Sequence, residues 1–131
     1  MTGHIPRRPG PADGTQLTPV VLIAAAGTVA EADQAIAAGA DLIDAGGLTG
    51  EDAATLRARH PGLRLWRGSP PAADADQAGT RAAAVATAAV LAWLGTPAIR
   101  TRHVLPARRA IDMACSIAGT RLPALTTRGL A

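Results

Sequence analysis

The chain has 131 residues, enough for one domain with a real core and well short of the roughly 250 of a closed (β/α)8 barrel. Its thirteen basic residues are all arginine, which excludes Schiff-base chemistry, a P-loop lysine and pyridoxal attachment together. The formal charge of +3 is dispersed along the chain and Trp66 and Trp93 are the only aromatic residues, so there is neither a phosphate-binding patch nor a base-stacking platform, and no nucleic-acid partner is expected.

Residues 1–18 are rich in Pro and Gly and carry Arg7 and Arg8 with no apolar run close behind, which reads as a disordered tail and not a signal peptide. The domain proper is expected over 19–120. Pro19 to Ala24 is a continuous branched apolar run, the pattern of a strand covered on both faces in a parallel sheet. Gly27-Thr28 opens a helix, with Thr28 and Glu31 in capping-box spacing and Ala30, Ile36 and Ala37 as its apolar stripe, ending at Gly39. Asp41 to Ala45 is a second strand closed by Gly46-Gly47, where missing side chains allow a tight turn or close approach to a ligand.

Thr49 caps a helix from Glu51 to Arg59, which stops before Pro61-Gly62. Leu63 to Arg67 forms a third strand whose polar alternation suggests a sheet edge, and residues 68–79, without periodicity, form a loop. Arg81 to Leu94 is an alanine-rich helix ended by Gly95; its apolar stretch is too short to span a bilayer, so no membrane partner is expected and the location is cytoplasmic. Ala98 to Val104 is a fourth strand. Pro106 opens a last helix through Ala118 with Ile111, Ala114, Cys115 and Ala118 on one stripe, and 121–131 form a second tail.

This order gives an α/β domain of about four βα units, with parallel strands joined by right-handed crossovers. Four such strands fit an open sheet or half of a (β/α)8 barrel, and bare edges on a half-barrel call for completion by a homodimer. Cys115, the only cysteine, reads as a buried structural thiol. His4 and His60 do not make metal-ligand spacing, His103 has no partner in sequence, and neither a metal nor a cofactor is expected.

Two regions resemble the dihydropteroate synthase, or pterin-binding, family. Ala35 to Gly47, reading AIAAGADLIDAGG, is similar to the family's first helix and second strand, where a run such as GADIIDVGGEST is typical. Ala83 to Gly95, then Ala98-Ile99-Arg100-Thr101-Arg102-His103-Val104, then Ala107 to Gly119, resemble its last two helices and the strand between them, where RVHDV is expected. The resemblance implies a barrel whose first three βα units run directly into the seventh helix and eighth strand, with the middle missing.

The family's reaction displaces pyrophosphate from a pterin methyl group by the amine of p-aminobenzoate. The resemblance implies that most of the equipment for it is gone. Ala24-Ala25-Ala26-Gly27 stands where the family has an Asn and a TPDSF run, Gly50 and Glu51 replace the threonine-arginine pair although Thr49 remains, and Arg67 replaces an Asp. Arg100 matches a site residue directly, while Arg102 and His103 stand for the family's His and Asp. No catalytic residue is therefore assigned. The expected ligand-binding residues are Asp44, Gly46, Gly47, Thr49, Arg100 and Arg102, with strand alternation putting Arg100 and Arg102 on one face at the carboxyl end of the sheet. There they form a pocket for a pterin or phosphate-like anion, or else pair with Asp44 or Asp41 as structural ion pairs. The functional expectation is a non-catalytic pterin- or anion-binding protein, a homodimer or regulatory partner of a larger enzyme. The alternatives are an active minimal transferase and a pure interaction module.

Overall fold

A computed structural model describes residues 20–68 and 71–120; the two expected tails lie outside the described residues. The chain forms β1 (Val21–Ala25), α1 (Val29–Ala37), β2 (Leu42–Asp44), α2 (Gly50–Arg59), β3 (Leu65–Trp66), β4 (Ala73–Asp74), a short 3₁₀-helix (Ala75–Ala78), α3 (Arg81–Trp93), β5 (Ala98–Thr101) and α4 (Val104–Ile117). The strands make one sheet in the order β3-β2-β1-β5-β4, and every pair is parallel. The described residues thus form an α/β domain with a five-strand parallel sheet and four α-helices.

The expected four strands become five because β4 forms inside the segment read as a loop over 68–79. Two residues carry no detectable alternation, and what makes them a strand is pairing with β5, Ala73 beside Ile99 and Asp74 beside Arg100. β3 is an edge strand, as its polar alternation predicts, although only two of its five expected residues pair. β5 stops at Thr101 rather than Val104, and the last helix begins at Val104, two residues before Pro106. Pro106 still lies in the first turn, where a missing N–H costs no intrahelical bond.

The starts of α1 and α2 are set by the threonines expected from sequence, and that of α3 by Thr80, which was not foreseen. Thr28 Oγ1 accepts the Glu31 N–H at 3.1 Å, while the Glu31 carboxylate reaches one residue beyond the expected box and accepts the Gly27 N–H at 2.7 Å. Thr49 and Asp52 form a complete capping box on α2. Thr80 caps α3 through the Ala83 N–H.

The main core joins Leu22, Ala24, Ile43 and Ile99 of the sheet to Ala32 and Ala35 of α1, Leu56 of α2, Ala88 and Ala92 of α3, and Ala107, Ile111, Ala114 and Cys115 of α4. All four helices therefore share one face of the sheet. This follows from winding: β1 to β2 to β3, and β4 to β5, each step in the same direction across the sheet, and right-handed crossovers then fall on the same side. Ile23 and Leu42 alternate onto the opposite face and are nonetheless 3% and 6% exposed, so β1 and β2 are covered on both sides, as the unbroken apolar run predicts.

Candidate functional site

At the carboxyl end of the strands an open cleft of about 680 Å³ runs from the ends of β1, β2 and β5 into the groove between α1 and α4. Ala25, Ala26 and Gly27 form its floor, Asp44 and Gly47 one side, and Arg100, Arg102 and His103 the other. Gln34, Ala35 and Ala38 of α1 face Val104, Leu105 and Pro106 of α4 across the groove, and Arg81 closes one end.

Asp44 and Arg100 are the centre of this arrangement. Register puts Asp44 beside Ala25 and Arg100 beside Ile23, so both lie on the same face with β1 between them. The strand bearing Arg100 is parallel to the one bearing Asp44 and in the same sheet, but not its direct neighbour. The pair meets across β1 because Ala25 is small enough to be bridged: Arg100 Nε donates to Asp44 Oδ2 at 3.0 Å, and Arg100 Nη1 lies 3.7 Å from Asp74 Oδ2. Asp44 is 8% exposed and its other oxygen, Oδ1, accepts the Gly46 N–H at 3.0 Å. The buried carboxylate is thereby hydrogen-bonded on both oxygens.

Arg102 departs from the expected geometry. Strand alternation holds only as far as Thr101, and in the bend that follows the Arg102 side chain swings outward, 75% exposed, to lie 3.4 Å from Asp76 instead of joining Arg100 on Asp44. Asp76 is the hub of this corner. Its Oδ1 accepts the hydroxyl of the fully buried Thr101 at 2.6 Å, and its Oδ2 accepts the Arg102 N–H at 2.9 Å. Thr101 Oγ1 in turn accepts the His103 N–H at 3.0 Å, which fixes the entry into α4.

The remaining expected residues divide. Gly47 lines the cleft, and a Cβ there would meet the Ala26 carbonyl oxygen and the Gly27 Cα, each at 3.4 Å, in close van der Waals contact. Gly46 serves the turn that holds Asp44, and Thr49 is the exposed cap of α2; neither lines the cleft. Sequence reasoning missed Glu31, Gln34 and Arg81 as lining groups and Asp74 and Asp76 as anchors. The Asp-x-Asp spacing at 74–76 was the available signal, since Asp74 Oδ1 accepts the Asp76 N–H as an Asx-turn, but it carries no periodicity.

The cleft presents three guanidinium groups, of Arg81, Arg100 and Arg102, and two carboxylates, of Glu31 and Asp44. Arg100 and Arg102 are paired with aspartates; among the described residues Arg81 has no ion-pair partner. An exposed cation above a buried carboxylate–guanidinium pair suits a ligand with an anionic group and a hydrogen-bonding ring. Among the described residues no group of three or more His, Cys, Asp or Glu is arranged to hold a metal ion, and no helix is long and apolar enough to cross a membrane.

Elsewhere, Asp33 on α1 binds the end of α2, accepting from Arg59 Nη1 and His60 Nε2, each at 2.7 Å. The hydrogen bond from His60, with Arg59 adding to it against a desolvation penalty, holds the Asp33 carboxyl below the usual carboxylate range. Comparison of the chain with protein-family models, with curated proteins and with solved structures finds no match in any of the three.

Proposed function

We propose that this is a non-catalytic ligand-binding protein descended from a dihydropteroate-synthase-like barrel, its sheet being the two ends of that barrel brought together. Strand order supports the lineage. In a closed barrel the last strand pairs with the first, so removing the middle of the chain leaves the neighbours three, two, one, last, next-to-last, which is the order β3-β2-β1-β5-β4. All four helices on one face agree with such a half-barrel and not with a doubly wound sheet, whose direction reverses.

The observation that carries the binding function is the Asp44–Arg100 pair under the cleft at the carboxyl end of the strands. Asp44 accepts from the amino and ring N–H groups of a pterin-like heterocycle, Arg100 donates to its carbonyl, and Arg81 receives an anionic substituent. Such a protein serves as a sensor or regulatory partner of a larger pterin enzyme, without turnover of its own.

Calorimetric titration with a reduced hydroxymethylpterin and, separately, with inorganic phosphate tests this. Saturable heat is expected for at least one of them, and Asp44→Asn should weaken pterin binding about tenfold or more, equivalent to about 1.4 kcal/mol. Absence of heat with both ligands overturns the reading in favour of an interaction module. Formation of dihydropteroate from pterin pyrophosphate and p-aminobenzoate overturns the non-catalytic assignment.

A further inference from the structure

The cleft extends well beyond the charges at its centre. Those charges gather at the carboxyl end of the sheet, whereas its continuation runs between Ala35 and Ala38 of α1 and Val104 and Leu105 of α4. α1 turns the row Glu31, Gln34, Ala35 and Ala38 toward this space, residues three and four apart and therefore on one side of the helix. Leaving the sheet end, the row passes from a carboxylate through an amide to methyl groups. Across from it Leu105 is 45% exposed, an aliphatic side chain facing methyl groups too short to cover it. On its other flank α4 packs directly against α3, so the gap belongs to the α1 side. At the far end Arg108 reaches from α4 to the Gly39 carbonyl, just beyond α1, with Nε donating at 3.2 Å.

We infer that the ligand of this cleft is an amphiphile, with an anionic head at the sheet end and an unbranched aliphatic chain of roughly eight carbons lying between α1 and α4. The inference rests on the reading of the cleft as a ligand site, and names what is attached to the head. Length selects the chain. From Glu31 to Ala38 the groove follows α1 for about 10 Å at the rise of an α-helix, and the Arg108 tie stops it there. A peptide segment would need a way out at both ends, which that tie denies. Walls of alanine, valine, leucine and proline, with no aromatic residue among them, offer a methylene chain dispersion contacts and offer a ring no stacking face.

Charge selects the head. Arg81 lies at the mouth with no ion-pair partner among the described residues, and the Arg100 and Arg102 guanidinium groups share the same lining. The volume of about 680 Å³ takes head and chain together and falls in the usual range for a small-molecule site. Folding alone gives no reason for the groove, since a leucine at position 35 or 38 would fill it and cover Leu105. A bound chain does the same from outside.

Calorimetric titration with inorganic phosphate and with butyl, octyl and dodecyl phosphate, each below its micelle-forming concentration, decides it. Affinity should rise about three- to fourfold per added methylene from butyl to octyl phosphate and level off by dodecyl phosphate, because the groove ends at Arg108. Ala38→Leu should weaken octyl phosphate about tenfold or more and move the plateau toward butyl phosphate. Leu105→Ser, at an exposed position and so a second test should the first variant not fold, should weaken octyl phosphate more than butyl phosphate. Phosphate or pterin binding that gains nothing from the chain overturns the inference and leaves the ligand site standing, whereas silence with the phosphates and with pterin removes both. A rise that continues undiminished to dodecyl phosphate, as on any exposed apolar patch, overturns it, as does octanol binding as tightly as octyl phosphate.

Discussion

Each end of the sheet holds an arginine between aspartates, and the two arrangements do opposite things. At the amino end Arg108 commits all three side-chain nitrogens to the protein: Nε donates to the Gly39 carbonyl at 3.2 Å, Nη2 to Asp41, and Nη1 lies 3.6 Å from Asp112. Asp41 also accepts the Leu22 N–H at 2.8 Å, so α4, the turn before β2 and the central strand are tied at one point. At the carboxyl end Arg100 has one short contact, one long one and an open cleft in front of it. A guanidinium whose three nitrogens all contact its own chain is a fastener, whereas one that faces a cavity with its donors is available to a ligand.

Four measurements break or sharpen that contrast. The largest effect is expected on the helix side of the carboxyl end, where Thr101→Val removes a buried hydroxyl, orphans the His103 N–H and leaves Asp76 Oδ1 without its donor. It should lower stability by about 1–3 kcal/mol in a urea titration. Arg108→Met keeps the aliphatic stem but breaks the amino-end fastener, and should cost about 1–2 kcal/mol after allowance for partial exposure. Arg100→Met leaves the buried Asp44 Oδ2 without its donor and should cost a comparable amount, about 1–2 kcal/mol, while in addition abolishing ligand binding. Ligand binding that survives Arg100→Met, or that is lost with Arg108→Met, would erase the distinction between the two arginines.

The smallest effect is a dependence on pH at a third cluster. Because the folded state lowers the Asp33 pKa, its contribution is complete above the usual carboxylate range and disappears as the pH falls through and below about 4. The melting temperatures of wild type and Asp33→Asn should therefore differ slightly at neutral pH and draw together as the pH falls below the usual carboxylate range.

What was legible in the sequence was what neighbours in sequence decide. Thr28 with Glu31, Thr49 before a helical stretch, and a branched apolar stretch at 20–24 announce caps and a two-sided strand through interactions within a few residues. β4 was illegible because two residues become a strand only when β5 supplies the ladder. Arg102 was misplaced because alternation was extended past Thr101, where the Asp76 carboxylate turns the chain. The Asp44–Arg100 pairing was foreseen as one of two options, yet Arg108 went unnoticed, since its partners at Gly39 and Asp41 precede it by over half the domain.

The position of β1 also governs how the chain finds its shape. One flank of the central strand is filled by β2 after a single helix, with Ile23 beside Leu42, whereas the other waits for Ala98 to return to Val21. Loop-closure entropy makes the second event costlier by about 1 kcal/mol, so β1, α1 and β2 are expected to pair before β5 docks with its helices, an order that folding rates of point variants would check. Substitutions around Ile99 should then slow folding, and those around Leu56, which lies in the early half, should mainly alter the state that precedes the barrier.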